Sequence, residues 1–226
     1  GLVGKPYSET GTGILWLNGT KCANGIIEDE NGNEAYFANN AEELTEALKE
    51  IPAGEAGTVN VTAGEYTFPK GLHEGVTINC TEGTVFKGSS NLNIGGATVI
   101  GADFVNENGS IHGSTINGNF KDCTFEGATV FRYCYAGNGT QSVFEDCYFK
   151  ENGGEWLFHF DGGTGELICR RCTFDGKRVA IGSAVSNLVM EDCTFVNGSY
   201  FNTYCKTTIT GTSFETSIRP LGNHVT

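Results

Sequence analysis

The stretch Asp122-Cys123-Thr124-Phe125 recurs three more times with little change, as Asp146-Cys147-Tyr148-Phe149, Arg171-Cys172-Thr173-Phe174 and Asp192-Cys193-Thr194-Phe195. The cysteine and the phenylalanine of each copy are two residues apart, so their side chains point to the same side of a β-strand. An apolar residue also stands five positions before each of these phenylalanines, and this odd spacing requires a bend between two strands. Each copy therefore predicts two short strands that both turn an apolar side chain inward.

The phenylalanine of this phrase belongs to a longer series that repeats roughly every 20 residues. A single coil of that length cannot bury its own apolar face, so successive coils must stack to form a core. The sequence therefore predicts a β-solenoid in which each strand pairs with its equivalent in the next coil. The series is Phe68, Phe86, Phe104, Phe125, Phe149, Phe174, Phe195 and Phe214.

This ladder of repeats resembles the right-handed parallel β-helix of the pectate-lyase-like superfamily over about residues 55–216, and in style it is closest to bacterial surface β-helix repeat proteins. The period is too long for a hexapeptide left-handed helix and lacks the consensus of a leucine-rich repeat. The resemblance implies an all-β fold, a single-stranded right-handed parallel β-helix of about eight coils with a short N-terminal capping α-helix. At about 4.8 Å per coil, such a rod is roughly 40 Å long.

The chain before the repeats predicts different structure. Asn40 is a suitable N-cap and Glu43 follows at the third helical position, which indicates an amphipathic helix that covers the open end of the solenoid. Glu30-Asn31-Gly32-Asn33 stands between two apolar segments and predicts a hairpin. Residues 217–226 carry no capping helix, so we expect that the natural chain continues or that a partner covers this end. The predicted organisation is an extension with a hairpin (1–40), a capping helix (41–52) and a parallel β-helix (53–226).

Composition and charge exclude several classes of protein. Asp and Glu number 27 against 14 Lys and Arg, and the net charge of −13 disfavours binding to nucleic acids or to anionic lipid. No apolar run approaches the roughly 18 residues of a spanning helix, so membrane insertion is not expected. The 33 glycines argue against a helical bundle, and the 38% of hydrophobic residues argues against an acidic disordered tail.

The nine cysteines raise the question of disulfides or a metal site, and an odd number cannot all pair within one chain. Cys169-Arg170-Arg171-Cys172 has the C-x-x-C spacing of zinc and redox sites. The repeat offers another interpretation, because Cys172 falls in the cysteine column of the repeated phrase and Cys169 falls in the apolar column before it. We therefore predict buried free thiols that pack as small hydrophobic side chains.

A charged residue directly precedes each cysteine of the repeated phrase. These residues form a charged column: Asp122, Asp146, Arg171 and Asp192. Pectate lyases bind calcium through carboxylates on such a stacked face and use a nearby arginine as a base. The resemblance thus implies Asp122 and Asp146 as candidate calcium ligands and Arg171 as a candidate base. The alternative is a charge ladder in which Arg171 separates two acids and relieves their repulsion. No lyase, polygalacturonase or pectin-esterase motif surrounds these residues, and apart from possible calcium we expect no cofactor.

Two long coils carry the candidate ligand surface. Thr129–Tyr135 and Trp156–Asp161 are aromatic segments that are each followed by a glycine-rich loop, and extra length at the same point of adjacent coils maps to one side of a solenoid. Exposed rings beside a few polar groups suit stacking on sugars, whereas the alternative is that most of these rings are core. Strict alternation exposes either Arg132, Cys134, Leu157, His159 and Asp161, or Phe131, Tyr133, Tyr135, Trp156, Phe158 and Phe160. The candidate ligand-binding residues are Tyr133, Tyr135, Trp156, His159, Asp161 and Tyr200.

Three functions are compatible with these patterns. The leading hypothesis is a non-catalytic module of a bacterial cell-surface or extracellular protein that binds polysaccharide or a host or cell-surface glycan. The second is a polysaccharide lyase or glycoside hydrolase, for which the catalytic candidates are His159, Asp161, Arg132 and Arg178. The third is a segment of a phage tail spike or fibre within a virion. We expect a monomer or a homotrimer and no nucleic-acid partner.

Overall fold

The computed structural model describes residues 15–17, 20–23, 26–28, 34–88 and 90–215. Their strands form three sheets that stack as a parallel β-solenoid of about eight turns, with one short helix near the N-terminus. This confirms the predicted fold class. Among these residues, no helix has the length and apolar character needed to cross a membrane. The predicted hairpin turn at residues 30–33 and the chain end at 217–226 lie outside the described residues.

The first sheet joins an N-terminal antiparallel segment to the solenoid. Its antiparallel strands are β1 (Leu15–Leu17), β2 (Thr20–Ala23), β3 (Ile26–Glu28) and β4 (Glu34–Ala38). β4 then pairs in parallel with the first of eight solenoid strands. These are β5 (Gly57–Val61), β7 (Val76–Cys80), β9 (Thr98–Ile100), β13 (Gly118–Lys121), β16 (Gln141–Glu145), β19 (Glu166–Arg170), β22 (Asn187–Glu191) and β25 (Thr207–Thr210).

The second sheet has one strand in each of the eight coils, the third sheet has strands in five of them, and all of their pairings are parallel. The second sheet contains β6 (Gly64–Tyr66), β8 (Thr84–Lys87), β10 (Asp103–Asn106), β14 (Thr124–Gly127), β17 (Tyr148–Glu151), β20 (Thr173–Asp175), β23 (Thr194–Val196) and β26 (Ser213–Phe214). The third sheet contains β11 (Ile111–His112), β12 (Thr115–Ile116), β15 (Phe131–Ala136), β18 (Trp156–Gly162), β21 (Arg178–Ile181) and β24 (Tyr200–Thr203).

The helix α1 (Ala41–Lys49) begins and ends where local chemistry requires it. The Asn40 side chain accepts a hydrogen bond from the Glu43 N–H at 2.9 Å, and the Glu43 carboxylate accepts one from the Asn39 N–H. The α-helix ends at Lys49 rather than at residue 52. The N–H groups of Glu50 and Ile51 bond to carbonyls three residues back instead of four, and Pro52 disfavours helical backbone at Ile51. Its apolar face packs against β4 and β5 through Leu44, Ala47 and Leu48.

The second sheet stacks one aromatic ring per coil in the core. From Phe86 to Phe214, successive ring centroids lie 4.6–5.4 Å apart. The first rung differs from the predicted series, because Tyr66 and not Phe68 pairs with Phe86. Phe68 lies beyond the end of β6 and packs edge-on against Phe86 at 5.0 Å. The predicted first rung is therefore wrong, since the register of β6 on β8 decides which ring enters the column.

The bend between the first and second sheets uses left-handed backbone. At the position before each column cysteine, φ lies between 50° and 53°, at Asp122, Asp146, Arg171 and Asp192. Gly101 and Gly211 hold the same place in two other coils, also with positive φ. One residue in this conformation reverses the alternation of side chains. Apolar side chains of the strands on both sides of the bend therefore point into the core. This is the structural basis of the change from even to odd spacing.

The column cysteines fill the space inside the bend. The Cys172 thiol donates to the carbonyl of Arg170 at 3.4 Å and to that of Phe144, in the preceding coil, at 3.3 Å. All eight cysteines with described side chains are free, and the predicted burial of Cys169 and Cys172 is confirmed. Burial raises the pKa of the Cys134 thiol to about 11. These cysteines therefore act as packing residues of the core.

We expect these thiols to resist modification while the chain is folded. With a pKa of about 11, Cys134 is only about one part in a thousand thiolate at pH 8, and the thiolate is the reactive form. In a Cys22→Ser variant, Ellman's reagent should detect no fast-reacting thiol in the native protein and all eight after denaturation in guanidinium. Rapid reaction of several thiols under native conditions would contradict this packing.

Candidate functional site

The outer face of the third sheet is the side of the solenoid richest in exposed aromatic rings. Among the described residues, five large hydrophobic side chains are exposed. Three of them belong to this sheet or directly follow it: Tyr133 (38% exposed), Tyr135 (43%) and Tyr204 (47%). The other two, Phe37 and Tyr148, lie on the first and second sheets. The candidate site is therefore built from β15, β18, β21 and β24.

A bulge in β15 turns two consecutive side chains outward. Phe131 pairs with Phe158 and Cys134 pairs with Phe160, so three steps along β15 match two steps along β18. Tyr133 takes up the extra residue with a φ of 50°. Arg132 and Tyr133 are both exposed as a result, while Phe131 and Cys134 are buried. Strict alternation, which placed Arg132 and Tyr133 on opposite faces, is therefore wrong for this strand.

A second irregularity occurs in β18. Trp156 pairs with Arg178 but Phe158 pairs with Val179, so the extra residue is Leu157. Both Leu157 and Phe158 are buried. Neither of the two predicted sets is exposed as a whole, because a bulge in each strand moves one residue out of phase.

Trp156 lies at the centre of a stack of side chains. Its ring centroid is 4.0 Å from that of His159 at an interplanar angle of 15°, and the Arg178 Cζ lies 4.1 Å from the same indole centroid. Both groups therefore lie against the indole ring. We refer to Tyr133, Trp156, His159 and Arg178 as the stacked cluster. Trp156 is only 8% exposed, so its contribution is to support its neighbours rather than to offer a ring face to a sugar.

His159 joins the stacked cluster to the bulge. Its Nδ1 accepts a hydrogen bond from the Tyr133 N–H at 3.4 Å, and its Nε2 lies 3.6 Å from the Asp161 Oδ1. A neutral imidazole with its proton on Nε2 satisfies both contacts. Burial lowers the pKa of His159, the Asp161 carboxylate opposes this, and the Arg178 charge lowers the pKa further. With both nitrogens engaged, the ring is poorly placed to take a proton from a substrate.

The remaining predicted residues lie around the stacked cluster. The Asp161 side chain is 58% exposed, and the Arg132 guanidinium lies 5.4 Å from the Tyr133 ring centroid. Tyr200 is half-buried and pairs with Arg178 in the adjacent strand. The third sheet therefore carries all six residues that the sequence suggested for ligand binding, and two of them, Trp156 and His159, are buried there.

Sequence reasoning missed His112. Its ring centroid lies 5.9 Å from that of Tyr133, in an edge-on contact. His112 pairs with Arg132 across β11 and β15, so it occupies the same column one coil earlier. Aligning the coils along the third sheet would have found it, but β11 has only two residues and leaves little pattern to read.

Two of the exposed tyrosines lie beside glycines of a neighbouring coil, and we call Tyr135 and Tyr204 the tyrosine pair. The Tyr135 ring packs over Gly162, which is buried. Tyr135 pairs with Gly162, and the Tyr204 N–H donates to the Ile181 carbonyl, which places Tyr204 beside Gly182. Three strand spacings separate the two tyrosines, about 14 Å along the solenoid axis. The exposed Asp161 carboxylate lies in the same region, next to Gly162.

In the charged column at the bend, Arg171 forms ion pairs with Asp146 and with Glu145 beside it. The Arg171 Nε and Nη2 donate to both oxygens of Asp146, at 2.7 and 2.9 Å, and Nη2 also reaches Glu145 at 2.5 Å. These hydrogen bonds lower the pKa of Asp146. Asp122 stands in the same column one coil earlier. Within the described part of the chain, no three His, Cys, Asp or Glu side chains are grouped so as to hold a metal ion.

The structure also contains a groove of about 460 Å³ between Lys87 and Ser110, which Tyr133, Tyr135 and Tyr204 do not line. Comparisons of the chain with known protein families, curated proteins and solved structures gave no match.

Proposed function

We propose that this chain is a non-catalytic β-solenoid module of the pectate-lyase-like type, from a bacterial surface or secreted protein, that binds polysaccharide on the outer face of the third sheet. The observation that carries the proposal is the grouping of Tyr133, Tyr135 and Tyr204 on one face. Tyrosine rings offer an apolar face for a sugar ring and a hydroxyl for its polar edge.

The spacing of the tyrosines favours an extended chain rather than a single sugar. Tyr135 and Tyr204 lie about 14 Å apart in the direction of coil stacking. A polysaccharide that runs along the axis can contact both rings. The exposed Arg132 and Asp161 supply a donor and an acceptor for hydroxyl groups.

The engagement of His159 favours binding over catalysis. General acid–base chemistry needs a titratable group within hydrogen-bond reach of the substrate. The His159 ring is stacked against Trp156, and its two nitrogens face the Tyr133 N–H and Asp161. This supports a surface that holds a ligand without transforming it.

Alanine at Tyr135 or at Tyr204 should each weaken polysaccharide binding about 10-fold, which corresponds to about 1.4 kcal/mol per ring. Affinity electrophoresis in gels containing xylan, mannan, galactan, β-glucan or polygalacturonate measures this as lost retardation. Tyr148→Ala is the matched control, because Tyr148 is also exposed but lies on the second sheet. The proposal would be wrong if none of these polymers retarded the protein, or if the Tyr148 variant lost as much retardation as the other two.

A further inference from the structure

The left-handed residue Tyr133 is held by a titratable side chain. Its φ of 50° is rare for a residue with a Cβ, and its backbone N–H donates to the His159 Nδ1 at 3.4 Å. We propose that neutral His159 is the positioning residue that keeps Tyr133 turned outward, and that protonation of His159 releases it and weakens the ligand surface in acid. The effect on binding rests on the function proposed above, whereas the effect on Tyr133 does not.

The protonation state of His159 decides which of its ring nitrogens can accept a hydrogen bond. A neutral ring with its proton on Nε2 presents a lone pair at Nδ1, which the Tyr133 N–H uses. A protonated ring carries N–H groups at both nitrogens, so two donors then face each other at this contact. The hydrogen bond is lost, and the bulge loses one of the contacts that join it to β18.

The ring contact between Tyr133 and His159 couples the loss of this hydrogen bond to the position of the Tyr133 ring. The Tyr133 and His159 ring centroids lie 4.7 Å apart, and the backbone bond and the ring contact join the same two residues. A movement of the Tyr133 backbone therefore shifts its exposed ring directly. Tyr135, two residues further along the same strand, is expected to follow.

Charged groups from several elements decide where His159 titrates. Asp161 on the same strand and Glu155 just before it favour the protonated ring, whereas Arg178 on β21 opposes it. On the other side, β15 contributes Arg132, which lies next to Tyr133, and β11 contributes His112. Desolvation is the largest effect and lowers the pKa of His159 below its ordinary value of 6.5. The change is therefore expected below pH 6.5, with the neutral ring dominant at pH 7.

A spectroscopic titration tests the switch without any ligand. In a Trp16→Phe background, Trp156 is the remaining tryptophan, and an imidazolium stacked at 4.0 Å should quench its fluorescence. Between pH 8 and pH 5 we expect a single sigmoid with a midpoint below 6.5 and a matching shift of the Tyr133 amide in ¹H–¹⁵N spectra. His159→Asn keeps an acceptor near the Nδ1 position and should abolish both changes. A Tyr133 amide that does not respond to the titration overturns the proposal.

Binding at two pH values then separates this inference from the proposed function. With the polysaccharide retained best in the affinity gels, we expect roughly a fivefold loss of affinity at pH 5 relative to pH 7.5 for the original chain. His159→Asn should bind equally at both values. Equal binding by the original chain at both pH values overturns the acid weakening but leaves the proposed function intact. If no polymer is retained, the proposed function fails, and the fluorescence and amide titrations still decide whether His159 positions Tyr133.

Discussion

Replacing Phe149 with alanine should lower the free energy of unfolding by about 4 kcal/mol. Its ring is fully buried and stacks between Phe125, at 5.2 Å, and Phe174, at 5.0 Å. It also contacts Phe144 and Phe158 from the first and third sheets. Strand pairing fixes the spacing of the coils above and below, so the neighbours cannot close the cavity, and the loss falls in the upper part of the usual range.

Urea denaturation followed by circular dichroism measures this loss. Tyr148→Ala is the control, because Tyr148 is adjacent in sequence but exposed on the outside of the second sheet. Its loss should stay below about 1 kcal/mol. Comparable losses for the two variants would show that the column of rings is not the core of the solenoid.

Gly163→Ala should destabilise the chain by at least about 3 kcal/mol or prevent folding. Gly163 has a φ of +83°, and a Cβ added there would lie 1.9 Å from the carbonyl oxygen of Ala136. That oxygen belongs to the backbone of the preceding coil, so no side-chain rotation relieves the clash. The coils would have to separate at the end of β15 and β18, next to Tyr135.

Gly139→Ala separates backbone strain from the clash. Gly139 also has a positive φ, +67°, but an added Cβ there meets no atom within 4 Å. We expect a loss of about 1–2 kcal/mol, which is the ordinary penalty for left-handed backbone. The melting temperatures of the two variants, followed by circular dichroism, provide the comparison. Similar melting temperatures would contradict the close approach of the coils at Gly163.

The start of the N-terminal helix was predictable from local sequence. Asn40 and Glu43 mark its start by hydrogen bonds that span only a few residues, so the sequence was sufficient to place it. The end of the helix was harder to place, because the apolar periodicity continues to Ile51. The prediction of a helix over 41–52 was therefore longer than the helix Ala41–Lys49. The cysteine columns were predictable for a similar reason, because every coil repeats the same inward position and the repetition averages out local exceptions.

The register between strands was harder to predict from the sequence. Tyr66 and Phe68 are both aromatic and two residues apart, so they face the same side and either satisfies the pattern. The pairing of β6 with β8 selects Tyr66. A pairing of this kind is a property of two coils together, and one coil read alone does not contain it.

By itself, the sequence determined the solenoid, its core columns, the free thiols and the side of the molecule on which aromatic residues concentrate. Those features follow from periodic burial, which each coil expresses independently. Only the tertiary structure decided which of those aromatic residues face solvent. The bulges at Tyr133 and Leu157 break the alternation, and Arg178 from the next coil helps to cover Trp156. Contacts between neighbouring coils set both outcomes, and local alternation along a single strand carries no information about them.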